Sequence, residues 1–338
     1  MMTDNVLLKV EDLCTYFPLP RAHPLAAVQT VLAVDGVSFE LTRGKTLGLV
    51  GESGCGKSTV ALSILRLIEA TSGAVFFDGE DVFHLGQKAL RGLRRRIQII
   101  FQDPYSSLNP QFTAGDIVAR PLKIHKIGTA KQRSEQVAQL FSQVGLRPDQ
   151  QSAFPHQFSG GQRQRICVAR ALATRPDLIV CDEPVSALDV AIQAQILNLL
   201  IKLQREYNLT YLFISHDMAV IQHMCDEIIV LYLGKIVEQA DRISLFKHPL
   251  HPYTWALLSA VPSIASDGAR SRRRVHLEGD PPSPIDPPPG CRFAPRCPFA
   301  DPGQNCWSQA PELREIHKGH KVACHRVSND GIAPQDAA

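Results

Sequence analysis

Leu47-Gly48-Leu49-Val50-Gly51-Glu52-Ser53-Gly54-Cys55-Gly56-Lys57-Ser58 is a short apolar run that breaks into three glycines and ends in Lys-Ser. Leu47–Val50 has the length of a buried strand, and Val60, Ile64, Leu67 and Ile68 beyond the loop recur at helical spacing, so the segment reads strand, loop, helix. The loop fits G-x-x-x-x-G-K-[ST] in the context that pattern requires. Glycines let backbone N–H groups curl around the β- and γ-phosphates of a nucleotide, and the following helix offers its positive N-terminal end. Lys57 is expected to reach the β/γ oxygens and Ser58 to ligate Mg²⁺. The candidate nucleotide contacts are therefore Gly51, Glu52, Ser53, Gly54, Cys55, Gly56, Lys57, Ser58 and Thr59. A glycine turn that only caps a helix is the plainer alternative. A bulky adduct on Cys55 would occupy phosphate space, so alkylation is expected to inhibit and nucleotide to protect.

Outward from this loop, Val6–Val10 and Leu32–Leu41 read as strands, with Asp35-Gly36 as a possible turn and Pro18–Thr30 as a long loop. Helical patterns recur over Lys131–Val144, Gln162–Ala173 and Ala191–Glu206, the second after a break at Ser159-Gly160-Gly161. Between them stand two more continuous apolar runs, Leu178–Cys181 and Tyr211–Ile214. Such runs alternating with helices predict parallel strands buried on both faces, hence an α/β core.

The next run ends in Asp182-Glu183. In an open parallel sheet ligands bind at the C-terminal ends of strands, so both acids are expected to face the phosphates. Asp182 would hold Mg²⁺ and Glu183 would polarise the attacking water as general base. Two exposed turn acids are the alternative. Tyr211–Ile214 ends in Ser215-His216-Asp217, where His216 can contact the γ-phosphate and hold the water in line. Phe158-Ser159-Gly160-Gly161-Gln162 precedes a helix and makes a second candidate anion site, for another nucleotide across a dimer. On physics alone a glycine hinge is an equal reading.

The 338 residues, 44% hydrophobic and 20% charged, predict two domains or one with an appendage, and exclude a disordered or collagen-like chain. A net charge of +3 is too small to mark a nucleic-acid or membrane-surface binder. Arg91 and Arg94–Arg96 read as a solvated face rather than a nucleic-acid contact. The first twelve residues lack the basic and apolar regions of a secretory signal, and no run reaches the 18 or so apolar residues of a membrane span.

The motif set, in this order, resembles the ATP-binding cassette family: the loop at 51–58, Gln102 in Phe101-Gln102-Asp103, the signature at 158–162, Asp182-Glu183, Ser186-Ala187-Leu188-Asp189 and His216. The resemblance spans roughly residues 6–240 and departs only in Phe158, where Leu is usual. It implies a P-loop NTPase fold: a RecA-like α/β core, a small antiparallel β part and an inserted helical subdomain over 103–175. It implies two cassettes sandwiching two ATP molecules, each between one chain's phosphate loop and the other's Ser159, Gly160, Gly161 and Gln162. Gln102 would join the Mg²⁺ shell and relay the ATP state. Phe17 matches the aromatic that stacks on adenine, with Tyr16 as the alternative.

Phe246-Lys247-His248-Pro249-Leu250-His251-Pro252-Tyr253-Thr254 and the proline-rich arm ending at Pro289-Gly290-Cys291 look like the C-terminal extension of bacterial dipeptide and oligopeptide importer ATPases, nearer the F-type than the D-type subunit. The resemblance implies a cassette over 1–245 and an extension over 246–338. It implies an ATPase on the cytoplasmic face of the inner membrane, peripheral, working with two transmembrane permease subunits, a D-type ATP-binding subunit and an extracytoplasmic peptide-binding protein, and not with nucleic acid. Importers of nickel, glutathione or other small solutes share the pattern; a soluble cassette acting on ribosomes or nucleic acid is the rival of another class.

Residues 281–289 hold six of the 24 prolines, and Arg270 with Arg272–Arg274 precede them, so this stretch reads as a linker or arm. Of nine cysteines, Cys291, Cys297, Cys306 and Cys324 stand in the tail with 5, 8 and 17 residues between them. That spacing does not match common C-x₂-C zinc frameworks, and a disulfide is not expected where ATP is supplied. Four thiolates can hold a [4Fe–4S] cluster, which the subfamily resemblance also implies; zinc and free thiols remain open, and His325 could replace a thiolate. Cys14, Cys167, Cys181 and Cys225 read as buried small hydrophobes.

Overall fold

The computed structural model describes residues 5–21, 23, 28–260, 279–301, 303 and 305–336. The basic run at Arg270 and Arg272–Arg274 lies outside the described residues.

Strands β1 (Val6–Pro18) and β2 (Thr30–Thr42) are both longer than the hydrophobic pattern predicts. Asp35-Gly36 is not a turn: both residues lie inside β2, with Gly36 at φ 72° and Asp35 held by side chains described below. Strand β3 (Thr46–Val50) is buried throughout and feeds helix α1 (Lys57–Ile64) through the glycine loop. The helix stops at Ile64, short of Ile68, because Arg66 takes a left-handed conformation, φ 50°. A hairpin follows, β4 (Ser72–Phe77) and β5 (Glu80–Asp81), turned by Asp78-Gly79 with φ positive at both residues.

Helix α2 (Gln87–Arg96) and strand β6 (Ile97–Ile100) lead into α3 (Pro104–Ser107), α4 (Ala114–Ile124), α5 (Ala130–Gln143) and α6 (Gly160–Leu172). Then come β7 (Leu178–Asp182), α7 (Val190–Tyr207), β8 (Thr210–Ser215), α8 (Met218–Met224), β9 (Glu227–Tyr232) and β10 (Lys235–Asp241). The tail contributes α9 (Arg242–Lys247), α10 (Pro252–Ser259), β11 (Arg314–His317) and β12 (His320–Val322).

The chain folds into two compact units that interleave in sequence. The first is built chiefly on His84–Ile214 and also takes Leu41–Thr46. Its sheet is parallel in the order β8-β7-β6, with Leu178 opposite both Thr210 and Ile97. Leu178, Ile179, Val180, Cys181, Leu212 and Phe213 are fully buried, the continuous apolar signature of a sheet covered on both faces. Arg91, Arg94 and Arg95 lie exposed on α2, while Arg96 pairs with Asp177 at 2.6 Å, which accords with a solvated basic face.

The second unit comprises Leu8–Glu40, Leu47–Phe83 and the residues from Ser215 onward. It contains the small sheet β2-β1-β4-β5, antiparallel between β1 and β4 and between β4 and β5. It also contains β3 paired parallel to β9, followed by antiparallel β10, β12 and β11. Apolar Ile228–Leu233 is thus a buried strand and its turn. The C-terminal part of the chain does not hang free: β12 adds directly to β10, Glu238 opposite Val322. Its proline-rich stretch 280–290 has no helix or strand, and the Pro284 carbonyl accepts the Leu32 N–H at 2.9 Å. Cys167, Cys181 and Cys225 are buried as expected, but Cys14 is only half-buried and its sulfur accepts the Gly36 N–H, 3.2 Å.

Candidate functional site: the phosphate loop and the strand-end carboxylates

In the second unit, residues 51–56 form the loop between β3 and α1. Gly56, at φ 104°, is the N-cap of α1; a Cβ there would stand 2.1 Å from the Ala33 carbonyl oxygen, so only glycine fits. The helix has no side-chain cap at this end, and a helix N-terminus favours an anion. Lys57 is buried, and its Nζ donates to the carbonyls of Gly51 and Glu52, 2.8 Å each. The ammonium thus lies folded over the loop at the place where phosphate oxygens would take over those bonds. Ser53, Gly54 and Ser58 are exposed and Thr59 is half-buried.

Lys57 Nζ also donates to Cys55 Sγ at 3.7 Å. The Cys55 thiol is buried, and a Cβ on Gly51 would stand 2.7 Å from its sulfur. Burial pushes its pKa up, against the pull of Lys57. Both burial and the raised pKa slow the alkylation of this thiol.

At the end of β1, Tyr16 donates its hydroxyl to Asp35 Oδ1 at 2.7 Å, whereas the neighbouring Phe17 is exposed. Burial works against the charge of Asp35, but the Tyr16 hydroxyl, Lys235 and Arg292 outweigh it and hold its carboxyl below the usual range. His216 is exposed at the end of β8, ahead of α8, which Asp217 caps.

In the first unit, β7 ends with Asp182 buried and Glu183 half-buried. Glu183 takes φ 46°, a conformation a non-glycine residue rarely adopts, while its N–H donates to the Ile214 carbonyl at 3.0 Å. Gln102 Nε2 donates to Glu183 Oε2, 3.0 Å, so two residues 81 positions apart meet. Ser159 caps α6 and closes a capping box with Gln162: Gln162 Oε1 accepts the Ser159 N–H at 3.0 Å and Ser159 Oγ accepts the Gln162 N–H at 3.4 Å. Neither Gly160 nor Gly161 has positive φ; Gly161 is needed for space, since a Cβ would stand 2.6 Å from Ile192 Cγ2 on α7.

In the tail, Cys291, Cys297, Cys306 and Cys324 all line one cavity, with His251, Phe293 and His325. Burial raises three of these thiols, Cys297 to about 12, Cys324 to about 11, and Cys291. Among the described residues, no three His, Cys, Asp or Glu side chains are arranged to hold a metal ion.

Sequence reasoning missed a set of residues that brace the phosphate loop. Tyr253 Oη accepts the Glu52 N–H at 2.8 Å, and Arg296 donates to both Glu52 carboxylate oxygens at 2.7 and 3.1 Å. Tyr253 stood in the quoted His/Pro segment and Arg296 between two tail cysteines, but nothing local signals a partner more than 200 positions away.

Fold and site define a class: an α/β nucleotide-binding protein with a phosphate loop and a strand-end acid pair. A family model described as ABC transporter matches residues 34–186, and one described as oligopeptide/dipeptide transporter, C-terminal region, matches 237–306. The chain is 50% identical over 325 residues to the oligopeptide transport ATP-binding protein AppF of Bacillus subtilis, covering 96% of this chain and 98% of that one. It is 49% identical to the probable peptide ABC transporter ATP-binding protein y4tS of Sinorhizobium fredii, over 95% and 90% of the two chains. A solved dimeric ATP-binding cassette, MJ0796 in a post-hydrolysis state bound to ADP and Pi, superposes with TM-score 0.62 at 28% identity, over 70% of this chain and 99% of that chain. The chain belongs to the ABC transporter family and is one of its ATPases. No helix among the described residues is long and apolar enough to cross a membrane.

Proposed function

We propose that this chain is the ATP-hydrolysing subunit of an importer of dipeptides or oligopeptides, attached to the cytoplasmic face of the inner membrane through separate permease subunits. The observation that carries the hydrolytic half is Gln102 bonded to a Glu183 held in left-handed backbone at the end of a buried strand. Phosphate contacts fall to residues 51–59, and Mg²⁺ to Ser58, Gln102 and Asp182, hard oxygen donors of the kind that ion takes. Bound there, Mg²⁺ would supply neutralisation of the phosphate charge. Glu183 takes the proton of the attacking water, which His216 holds in line. Ser159, Gly160, Gly161 and Gln162 serve the nucleotide of a second cassette, a D-type partner. Phe17 rather than Tyr16 is the adenine platform, because the Tyr16 hydroxyl is engaged by Asp35 while Phe17 is exposed. We read 103–175 as the helical subdomain, 1–245 as the cassette and 246–338 as the extension. The peptide cargo and the extracytoplasmic binding protein are inferred from relatives at about 50% identity whose names carry peptide transport.

We assign the four tail cysteines to a [4Fe–4S] cluster. Support comes from their convergence on one cavity from loops 33 residues apart in extent; a cluster takes four spaced thiolates rather than a single-ion shell. Anaerobic purification should give about four iron and four acid-labile sulfide per chain, reduced in Cys291→Ser; a colourless, iron-free protein overturns the assignment.

Affinity purification from native membranes should recover two permease subunits and a second cassette, with ATP turnover stimulated by peptide and binding protein. Glu183→Gln should retain ATP while hydrolysis falls about 10²–10⁴-fold; undiminished turnover removes Glu183 as the base. Recovery of ribosomal or DNA-bound partners without permeases overturns the transport reading.

A further inference from the structure

The residue at the second position of the phosphate loop, Glu52, is tied at three points. Its N–H goes to Tyr253, its carboxylate takes two bonds from Arg296, and its carbonyl accepts from Lys57. Tyr253 and Arg296 both belong to the tail, and both are buried: Arg296 has 7% of its side chain exposed and Tyr253 none. They sit on one aromatic cluster. Tyr232 meets Tyr253 edge-on at 4.7 Å and Phe293 at 5.3 Å, and Tyr253 and Phe293 stand 5.4 Å apart. Four positions before Arg296, Arg292 donates to the Leu233 carbonyl and to Asp35, which anchors the same short turn at a second place.

We propose that Arg296 and Tyr253 are positioning residues for ATP: through Glu52, the C-terminal extension holds the phosphate loop in its nucleotide-ready shape before nucleotide arrives. A bidentate guanidinium–carboxylate pair fixes orientation as well as distance, so it holds a loop as a single ion contact does not. The charge of Arg296 is spent on Glu52, which makes its contribution geometric rather than a direct contact with phosphate. Holding the loop beforehand removes an ordering cost from binding, so its loss falls on affinity more than on the chemical step.

This inference rests on the reading that residues 51–59 hold the phosphates, and the experiment separates the two. In the full-length chain, Arg296→Ala, Arg296→Lys, Glu52→Ala, Tyr253→Phe and the double Arg296→Ala/Glu52→Ala are compared for ATP Kd, KM, kcat and Tm. Arg296→Ala should weaken ATP binding by about tenfold with kcat at saturation within about twofold. Arg296→Lys should fall between it and the parent, since an ammonium cannot make the forked pair. The double variant should be no weaker than either single, the mark of one shared interaction. If Arg296→Ala fails to fold, Arg296→Lys carries the same test, since it keeps the charge and loses the forked pair. A lowered Tm with unchanged Kd, or effects that add in the double variant, overturns the positioning role. Lys57→Ala that keeps parental ATP affinity overturns instead the reading of the loop itself.

Discussion

Cys55 is where the loop's sequence and its geometry part. Read along the chain, a thiol inside G-x-x-x-x-G-K-S borders the phosphates and is open to a reagent; in the fold its sulfur is buried, 3.7 Å from Lys57 Nζ. Burial raises its pKa, so at neutral pH it has less than the ordinary thiol's share of reactive thiolate and little access for a reagent. N-ethylmaleimide at pH 7 should label Cys55 at least about tenfold more slowly than a free thiol, with or without ATP, and at the free rate in denaturant. Peptide mapping over a time course checks this; rapid labelling of the native chain that ATP suppresses would mean that the thiol is open to reagent at the nucleotide site. The identities of the loop residues were legible because glycine, lysine and serine at fixed spacing have few other uses. The burial of one side chain was not, because it depends on non-local neighbours that no local pattern records.

At the scale of elements, the helix opened by Ser159 was legible from its break and its capping box, since a cap is a contact within four residues. Strand β7 and its terminal acids were legible from a five-residue buried run. Helix α4 was not, because Gly115 and Pro121 inside it mimic a loop, and its Thr113 cap with Asp116 and Lys123 compensates. The glycines after Ser159 read equally as a hinge or an anion site. The structure adds a third reason for Gly161: α7 passes so close that a Cβ would stand 2.6 Å from Ile192 Cγ2. Gly161→Ala should therefore cost about 1–3 kcal/mol despite the better helix propensity of alanine. Thermal denaturation of Gly161→Ala and of Gly161→Ala/Ile192→Ala checks it, the second restoring part of the loss. A single variant as stable as the parent would mean that α7 yields freely and that Gly161 is not there for space.

For the molecule as a whole, proline density and cysteine spacing marked the tail as a different segment, yet they concealed how it joins the cassette. That junction is made by strand pairing and by one buried carboxylate, both non-local. Glu238 on β10 is fully buried, and its oxygens accept the N–H groups of Leu250 at 2.7 Å and His251 at 2.9 Å. His320, on the strand paired with β10, has its Nε2 2.7 Å from the same carboxylate, a third hydrogen-bond partner. Removing the imidazole leaves a buried carboxylate short of one partner, a change that costs on the order of 3 kcal/mol, whereas replacing both partners by neutral groups costs less. His320→Leu should accordingly lower the unfolding midpoint, and Glu238→Gln/His320→Leu should recover part of the loss. Because Glu238 and the phosphate loop belong to one compact unit, the same variant should unfold in a single transition and lose ATP binding at that midpoint, not before it. Denaturation followed in parallel by far-UV circular dichroism and by a fluorescent ATP analogue checks this. Two separate transitions, with ATP binding surviving the first, would mean that the tail is an appendage after all and that its contacts to Glu238 contribute nothing to the fold of the cassette.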